Sequence, residues 1–162
     1  MNQTWVKIVL GLLLLGMLAA NDKTRRTVIQ TLIAFPIANF LTDILKSTLP
    51  WNRPYQDLTG VLTRVPTSNS HGTASAHAAN MAAVAFVFVY NLKWWGTPWV
   101  AIALLTGFSR VYVGVHYPYQ VLLGWCCGLV MAFSVTRIWD VIRLKRSAVL
   151  NDEPPDEIEK PN

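Results

Sequence analysis

The sequence predicts an all-α integral membrane protein, built as a bundle of about five transmembrane helices. Of its 162 residues, 52% are hydrophobic and only 14% are charged, and the mean hydropathy of +0.33 is high for a soluble domain. Apolar runs of nearly bilayer-spanning length alternate with short polar segments. The net charge of +5 resides in those segments and forms no long basic face, which argues against nucleic-acid binding. We predict one membrane domain, residues 1–147.

Residues 5–20 form the first apolar run and residues 27–45 the second. The first is short for a span, but flanking anchors and local thinning of the bilayer accommodate such a length. A signal peptide is the alternative, although the segment before the run holds only Lys7 and no small-x-small cleavage pattern follows. The second run contains Pro36, which removes a backbone donor and predicts a kink. We therefore expect two transmembrane helices in this part of the chain.

Residues 46–73 are the longest polar segment and predict the main extramembrane loop, with short interfacial helices limited by its prolines. Residues 74–93 predict a third span, whose many alanines permit close helix packing. A fourth helix is predicted from residues 99–108 and continues into the polar segment that follows. The fifth span is predicted at about residues 119–139.

Charges between the predicted spans set the expected orientation of the bundle. With five spans, the loop at residues 46–73 and the junction at residues 109–120 share one face of the membrane. The cations on the other face are Lys23, Arg25, Arg26, Lys93, Arg143, Lys145 and Arg146. The positive-inside rule makes that face cytoplasmic, so the loop and junction face the periplasm of a bacterial inner membrane. Residues 148–162, with three prolines and repeated acids, predict a disordered cytoplasmic tail.

Cations, serines and histidines recur at the junctions on the predicted periplasmic face. The set comprises Lys46 and Arg53, then Ser75, Ala76 and His77, then Ser109, Arg110 and His116. A single arginine–histidine pair would be explained by an arginine side chain that extends to the lipid headgroups. Three blocks of polar residues on one face would not be explained in this way. Arginine offers a planar donor fork that matches phosphate, lysine adds a point charge, and a helix start presents free backbone N–H groups. The set therefore predicts a site for a phosphoryl group.

The joint spacing of these blocks resembles the phosphatidic acid phosphatase type 2 family, membrane phosphatases related to vanadium haloperoxidases. The family pattern is Lys, six residues, Arg-Pro; then Pro-Ser-Gly-His; then Ser-Arg, five residues, His, three residues, Asp. The matching positions are Lys46, Arg53, Pro54, Ser75, His77, Ser109, Arg110 and His116. The departures are Ala74 for proline, Ala76 for glycine and Gln120 for the final aspartate. The resemblance covers roughly residues 46–120 and implies a phosphatidic acid phosphatase/haloperoxidase-like helical fold.

The resemblance implies a role for each matching residue. His116 is the expected nucleophile, which forms a phosphohistidine, and His77 is expected to protonate the leaving oxygen and then activate water. The expected phosphate-binding residues are Lys46, Arg53, Ser75, Ala76 and Arg110. The implied activity is hydrolysis of a lipid phosphomonoester or diphosphate with no metal or other cofactor, since the sequence has no carboxylate cluster. Phosphatidic acid, phosphatidylglycerol phosphate, undecaprenyl diphosphate and the 1-phosphate of lipid A are all admitted as substrates.

Gln120 stands where the family has the aspartate that orients the nucleophilic imidazole. Its amide oxygen can accept the ring N–H, but it brings no negative charge. Three explanations are open: Asp43 supplies the charge, turnover is reduced, or the protein binds lipid phosphate without hydrolysing it. For Asp43 the alternative is a salt bridge to Lys46, about one helical turn away. We therefore predict a lipid phosphatase, with an inactive lipid-phosphate-binding membrane protein as the alternative.

Two further features carry no catalytic prediction. His71 lacks a serine two residues before it and a helix directly after it, so it is predicted to be a loop histidine, with headgroup contact as the alternative. Cys126 and Cys127 are neighbours in an apolar run and point in different directions on a helix, so they are predicted to pack. Oligomeric state is not predicted.

Overall fold

The computed structural model describes residues 15–152, and every regular element in that part of the chain is helical. The elements are α1 (residues 15–20), α2 (Asp22–Thr48), α3 (Pro54–Asp57), α4 (Ala76–Leu92), a 3-10 turn (Lys93–Gly96), α5 (Thr97–Tyr112) and α6 (Pro118–Asp152). The predicted all-α class is confirmed over these residues. Most of the first predicted span lies outside them.

Helix α4 lies at the centre of the bundle, packed against α2, α5 and α6. The core that it forms with α2 and α6 consists mainly of small side chains. Its members are Ala34, Ala38, Ala79, Ala83, Val87, Cys127 and Ala132. Gly128 of α6 lies so close to α4 that a Cβ at this position would stand 2.1 Å from the carbonyl oxygen of Ala79. Small residues therefore let the helix backbones approach closely, as the alanine-rich third span predicts.

Side-chain contacts show the direction in which each helix runs. Asn91, near the end of α4, donates from Nδ2 to Oε1 of Gln30 at 2.6 Å, and Gln30 lies early in α2. Helices α2 and α4 are therefore antiparallel. Tyr90, also near the end of α4, donates from its hydroxyl to Asp140, which lies late in α6, so α4 and α6 run in the same direction. Helix α5 follows α4 through the 3-10 turn and packs back against it.

This arrangement gives the bundle two chemically different ends. The site end is formed by the last turns of α2 and α5, the first turns of α4 and α6, and the loop at residues 49–75. All three polar blocks of the sequence fall there. The basic end is formed by the first turns of α2, the 3-10 turn and the last part of α6, and it carries the other clustered cations.

The described helices bury polar side chains and expose apolar ones. Gln30, Thr42 and Asn91 are fully buried, whereas Phe40 and Leu105 are among the exposed large residues. A soluble domain would show the opposite distribution, so the outer surface suits hydrocarbon better than water. Two of the described helices, α2 and residues 118–149 of α6, are long and apolar enough to cross a membrane.

The observed helix ends differ from the predicted spans most strongly in α6. The fifth span was predicted at about residues 119–139 and the tail from residue 148, but α6 continues to Asp152. The reason is that residues 143–150 are mostly good helix formers, and the next proline is Pro154. Cations end a membrane span without ending the helix. The predicted tail therefore overlaps helix at residues 148–152, and residues 153–162 lie outside the described part.

Candidate active site

The loop at residues 49–75 is folded back on itself beside the first turn of α6. The N–H of Gly72 donates to the carbonyl of Trp51 at 2.8 Å, and the N–H of Trp51 donates to the hydroxyl oxygen of Thr73 at 3.2 Å. The Thr73 hydroxyl in turn donates to the carbonyl of Leu49. A Cβ on Gly72 would stand 2.7 Å from Cγ of Arg53, which explains why a glycine occupies this crossing. The crossing brings both halves of the loop to the histidine that precedes α6.

Arg53 is buried, with 8% of its surface exposed, and is held entirely by neutral groups. Its Nε donates to the carbonyl of Ser70 at 2.8 Å and its Nη2 to the Ser70 hydroxyl at 2.9 Å. Its Nη1 lies 3.4 Å from Nε2 of His116. Within the described residues no carboxylate forms a salt bridge with it. Burial lowers the pKa of Arg53 from its usual value, yet guanidinium stays protonated, so the positive charge is available to an anion.

His116 is 5% exposed, and the contacts of its ring identify the protonated nitrogen. Nδ1 lies 3.1 Å from the carbonyl oxygen of Gly72 and 3.1 Å from Oε1 of Gln120. The orientation of that amide is fixed, since its Oε1 also accepts from the N–H of Tyr117 and its Nε2 donates to the carbonyl of Asn52. Two acceptors around Nδ1 require a proton there. Nε2 therefore carries the lone pair, which faces the Nη1 donor of Arg53.

The pKa of His116 is lowered to about 4, chiefly by burial and next by the positive charge of Arg53. The hydrogen bonds to Gln120 and to the Gly72 carbonyl act in the opposite direction, because they stabilise a protonated ring. The lowering effects are larger. His116 is consequently a neutral imidazole at physiological pH, with its lone pair next to a fixed cation.

Gln120 is fully buried and joins the third block to the second. Besides the contacts of its side chain, its backbone carbonyl accepts from the N–H of Ser75 at 3.0 Å. Ser75 is the N-cap of α4, and its hydroxyl oxygen accepts from the N–H of Ala78 at 3.4 Å. The start of α4 and the start of α6 are thereby held together, close to His116.

The remaining predicted residues converge on the same end of the bundle. His77 lies in the first turn of α4, exposed, and within electrostatic range of Arg110, Lys46 and Arg53. The carbonyl of Arg110 accepts from the N–H groups of Val115 and of His116, both at 3.2 Å, which closes the turn after α5. The cations and both histidines of the three blocks are thus brought to one site. Ala76 lies between Ser75 and His77, partly buried.

Asp43 and His71 lie at the edge of this site. Asp43 Oδ1 accepts from Nζ of Lys46 at 2.9 Å, and its Oδ2 accepts from Asn39, so the alternative salt bridge is present. Among the described residues it makes no hydrogen bond to His116. The His71 side chain is exposed in the loop, as predicted, and its carbonyl lies 3.4 Å from Nη2 of Arg53.

Sequence reasoning missed the groups that position Arg53 and His116 through backbone carbonyls and a small hydroxyl. The carbonyl of Gly72 contacts His116, and both oxygens of Ser70 accept from Arg53. The carbonyl of Asn52 accepts from Gln120 and so positions His116 indirectly. A backbone acceptor has no side-chain signature, so spacing between polar side chains does not reveal it. The available signal was Gly72 itself, a glycine shortly before the second block.

The chain is similar to a known family and to several known proteins. The PAP2 superfamily model matches residues 27–143. An undecaprenyl-diphosphatase from Sulfolobus acidocaldarius is 32% identical over 118 residues, which are 72% of this chain and 57% of that protein. Undecaprenyl-diphosphatase BcrC from Bacillus subtilis is 30% identical over 140 residues, or 84% of this chain and 70% of that protein. This chain thus spans little more than half the length of the first of these relatives.

A solved structure shows the same fold. The crystal structure of the first transmembrane PAP2 type phosphatidylglycerolphosphate phosphatase from Bacillus subtilis superposes with a TM-score of 0.66 at 26% identity, covering 87% of this chain and 72% of that one. The family model matches well over half of the sequence and includes all three polar blocks. The chain therefore belongs to the PAP2 superfamily.

Proposed function

We propose that this protein is an integral-membrane lipid phosphatase that hydrolyses a lipid phosphomonoester or diphosphate through a phosphohistidine at His116. One observation carries the proposal. The imidazole of His116 is held neutral by burial, with its Nδ1 proton directed at two acceptors and its Nε2 lone pair beside the buried guanidinium of Arg53. A phosphorus nucleophile needs such a lone pair and fixed positive charge around the attacked group.

The cations of the site would bind the phosphoryl oxygens. Arg53 and Arg110 supply planar donor forks and Lys46 a point charge, while Ser75 holds the start of α4 in place. Helix α4 begins here, so N–H groups of its first turn have no intrahelical partner and add the positive end of the helix dipole. This preorganised charge stabilises the transition state, in which negative charge spreads over three equatorial oxygens.

The reaction proceeds in two displacements. Nε2 of His116 attacks phosphorus, the bond between phosphorus and the leaving oxygen breaks, and His77 gives that oxygen a proton. A water then loses a proton to His77 and attacks the phosphohistidine, which breaks the phosphorus–nitrogen bond and returns His116 to its neutral form. The products are inorganic phosphate and the dephosphorylated lipid, or the lipid monophosphate when the substrate is a diphosphate. No step requires a metal ion.

A polyprenyl diphosphate is the substrate class that the observations favour first. Two relatives bear the name undecaprenyl-diphosphatase. Large side chains are also exposed around the site end, where an apolar chain would lie when its phosphate reaches the cations. Trp51, Tyr112, Tyr119 and Leu122 are among these exposed residues. Aromatic side chains at a bilayer interface suit such a position.

We further propose five transmembrane helices in a bacterial inner membrane, with the site end facing the periplasm. The direction of α2, α4, α5 and α6 supports this arrangement, because it separates the phosphate-binding cations from the cations of the basic end. The positive-inside rule then assigns the basic end to the cytoplasm. The residues that precede α2 would supply the first span.

His116→Ala should reduce phosphate release from undecaprenyl diphosphate by roughly a thousandfold or more, because it removes the nucleophile. Initial rates in detergent micelles measure this effect. The matched control is His71→Ala, which removes an exposed histidine of the neighbouring loop and should leave the rate near that of the wild type. Equal losses in both variants would contradict the assignment. Phosphate-lipid binding by a wild-type protein that releases no phosphate would support the binding-protein alternative.

Gln120→Asp should move the acidic limb of the kcat/KM profile to higher pH. In the wild type His116 stays neutral down to a pKa of about 4, and a carboxylate beside Nδ1 would stabilise the imidazolium and raise that pKa. If an amide supports the nucleophile less well than a carboxylate does, phosphate release by Gln120→Asp near neutral pH should also rise.

Asp43→Asn is the matched control, because Asp43 contacts Lys46 and not the imidazole. It should change KM more than the position of the limb. A shift of the limb in Asp43→Asn, with none in Gln120→Asp, would show that Asp43 supplies the charge and that Gln120 does not control His116.

Single cysteines should report the orientation in intact cells. In a Cys126→Ala, Cys127→Ala background, Thr59→Cys lies in the exposed loop of the site end and should react with a membrane-impermeant maleimide from outside. Thr24→Cys at the basic end should react only after the membrane is permeabilised. The reverse pattern would invert the orientation.

A further inference from the structure

A cavity of about 760 Å³ lies at the basic end, between the first turns of α2 and the last part of α6. Five cationic side chains and one carboxylate, that of Asp22, line it. The cations are Lys23, Arg25, Arg26, Arg143 and Arg146. The volume falls within the range of small-molecule sites in proteins. The cavity is separated from the histidines by the length of the bundle, so the proposed phosphatase mechanism does not use it.

Within residues 15–152, carboxylates balance only part of the positive charge of this cavity. Arg25 pairs with Asp22 at 2.5 Å on the exposed surface. Arg26 lies 3.9 Å from Asp140, whose carboxylate already accepts from the Tyr90 hydroxyl, and the buried Nε of Arg26 has no hydrogen-bond partner in the described part of the chain. A buried donor without a partner costs free energy, so a ligand that accepts from it would be favoured.

Besides its charged side chains, the cavity has an apolar part of its lining. Ile29, Trp139 and Ile142 line it together with the arginines. Its lining residues belong to α2 and α6, the two described helices that are long and apolar enough to span a bilayer. Tryptophan prefers the depth of the headgroups, and basic pockets between membrane helices suit anionic headgroups. The lining thus offers cations for a phosphate and apolar side chains for the adjoining hydrocarbon.

We propose that this cavity binds an anionic phospholipid, such as phosphatidylglycerol, from the leaflet opposite the catalytic site. The phosphodiester lies among Arg26, Arg143 and Arg146, and the acyl chains follow Ile29 and Ile142. Free inorganic phosphate would bind only to the cations of this lining and would leave its apolar side chains without a partner. The acidic residues 153–162 have charge of the right sign but include a single large apolar residue, Ile158. A lipid matches both halves of the lining.

Native mass spectrometry of the full-length protein, released from detergent in the presence of added lipid, tests the proposal. Phosphatidylglycerol should give a one-lipid adduct, in preference to phosphatidylcholine of the same acyl chains, and excess inorganic phosphate should not displace it. Arg143→Gln with Arg146→Gln should weaken this adduct by roughly fivefold for each cation removed. Lys145→Gln is the matched control, because Lys145 is exposed on the same part of α6 but does not line the cavity.

Arg110→Gln distinguishes the two ends of the protein. The adduct should persist in this variant, since Arg110 belongs to the site end. An adduct that is lost in Arg110→Gln and kept in the Arg143, Arg146 double variant would place the lipid at the catalytic site and overturn the proposal. Equal adducts with both lipids, or equal weakening by Lys145→Gln, would also overturn it. Binding that appears only after deletion of residues 153–162 would assign the cavity to the acidic segment instead.

Discussion

The candidate site depends on the buried amide of Gln120. Its oxygen accepts from the imidazole of His116 and from the N–H of Tyr117, and its nitrogen donates to the carbonyl of Asn52. Its backbone carbonyl accepts from Ser75. One residue therefore fixes the tautomer of the proposed nucleophile and joins the starts of α4 and α6 to the loop. Each contact satisfies a polar group that would be costly to bury alone.

A neutral partner for His116 changes the charge balance of the whole site. A carboxylate at residue 120 would lie next to the same imidazole and near the guanidinium of Arg53, which has no acidic partner among the described residues. Burying that carboxylate would carry a desolvation cost and would neutralise part of the positive charge. With the amide, the positive charge of Arg53 remains available to substrate. The carbonyl of Gly72 provides the second acceptor for Nδ1–H without adding charge.

The sequence predicted those features that depend on local pattern. Apolar runs located α2, α4, α5 and α6, because such runs must be buried or face lipid, and the alternation of spans placed the three polar blocks at one end. The end of α6 did not follow, since charges that end a membrane span also favour helix. A short helix in the loop was predicted and α3 is such a helix, but a single turn is too short for a periodicity that would give its bounds.

The positioning of the site depended on contacts distant in sequence. Gly72 and His116 are 44 residues apart, and Arg53 and His116 are 63 apart. The spacing of side chains carries no information on which carbonyl accepts from an imidazole. Asp43 shows the same limit, because the sequence allowed either a salt bridge to Lys46 or a role beside His116. The fold shows the salt bridge.

The central claim is that Nε2 of His116 attacks phosphorus, and the most direct measurement is to trap its product. His77→Gln should still accept a phosphoryl group from p-nitrophenyl phosphate, whose leaving group needs no protonation, but should hydrolyse the intermediate slowly. Peptide mass spectrometry after an alkaline quench should then find acid-labile phosphate on His116, and none when His116→Ala is added. Phosphate on another residue, or turnover without a phosphorylated His116, would contradict the account.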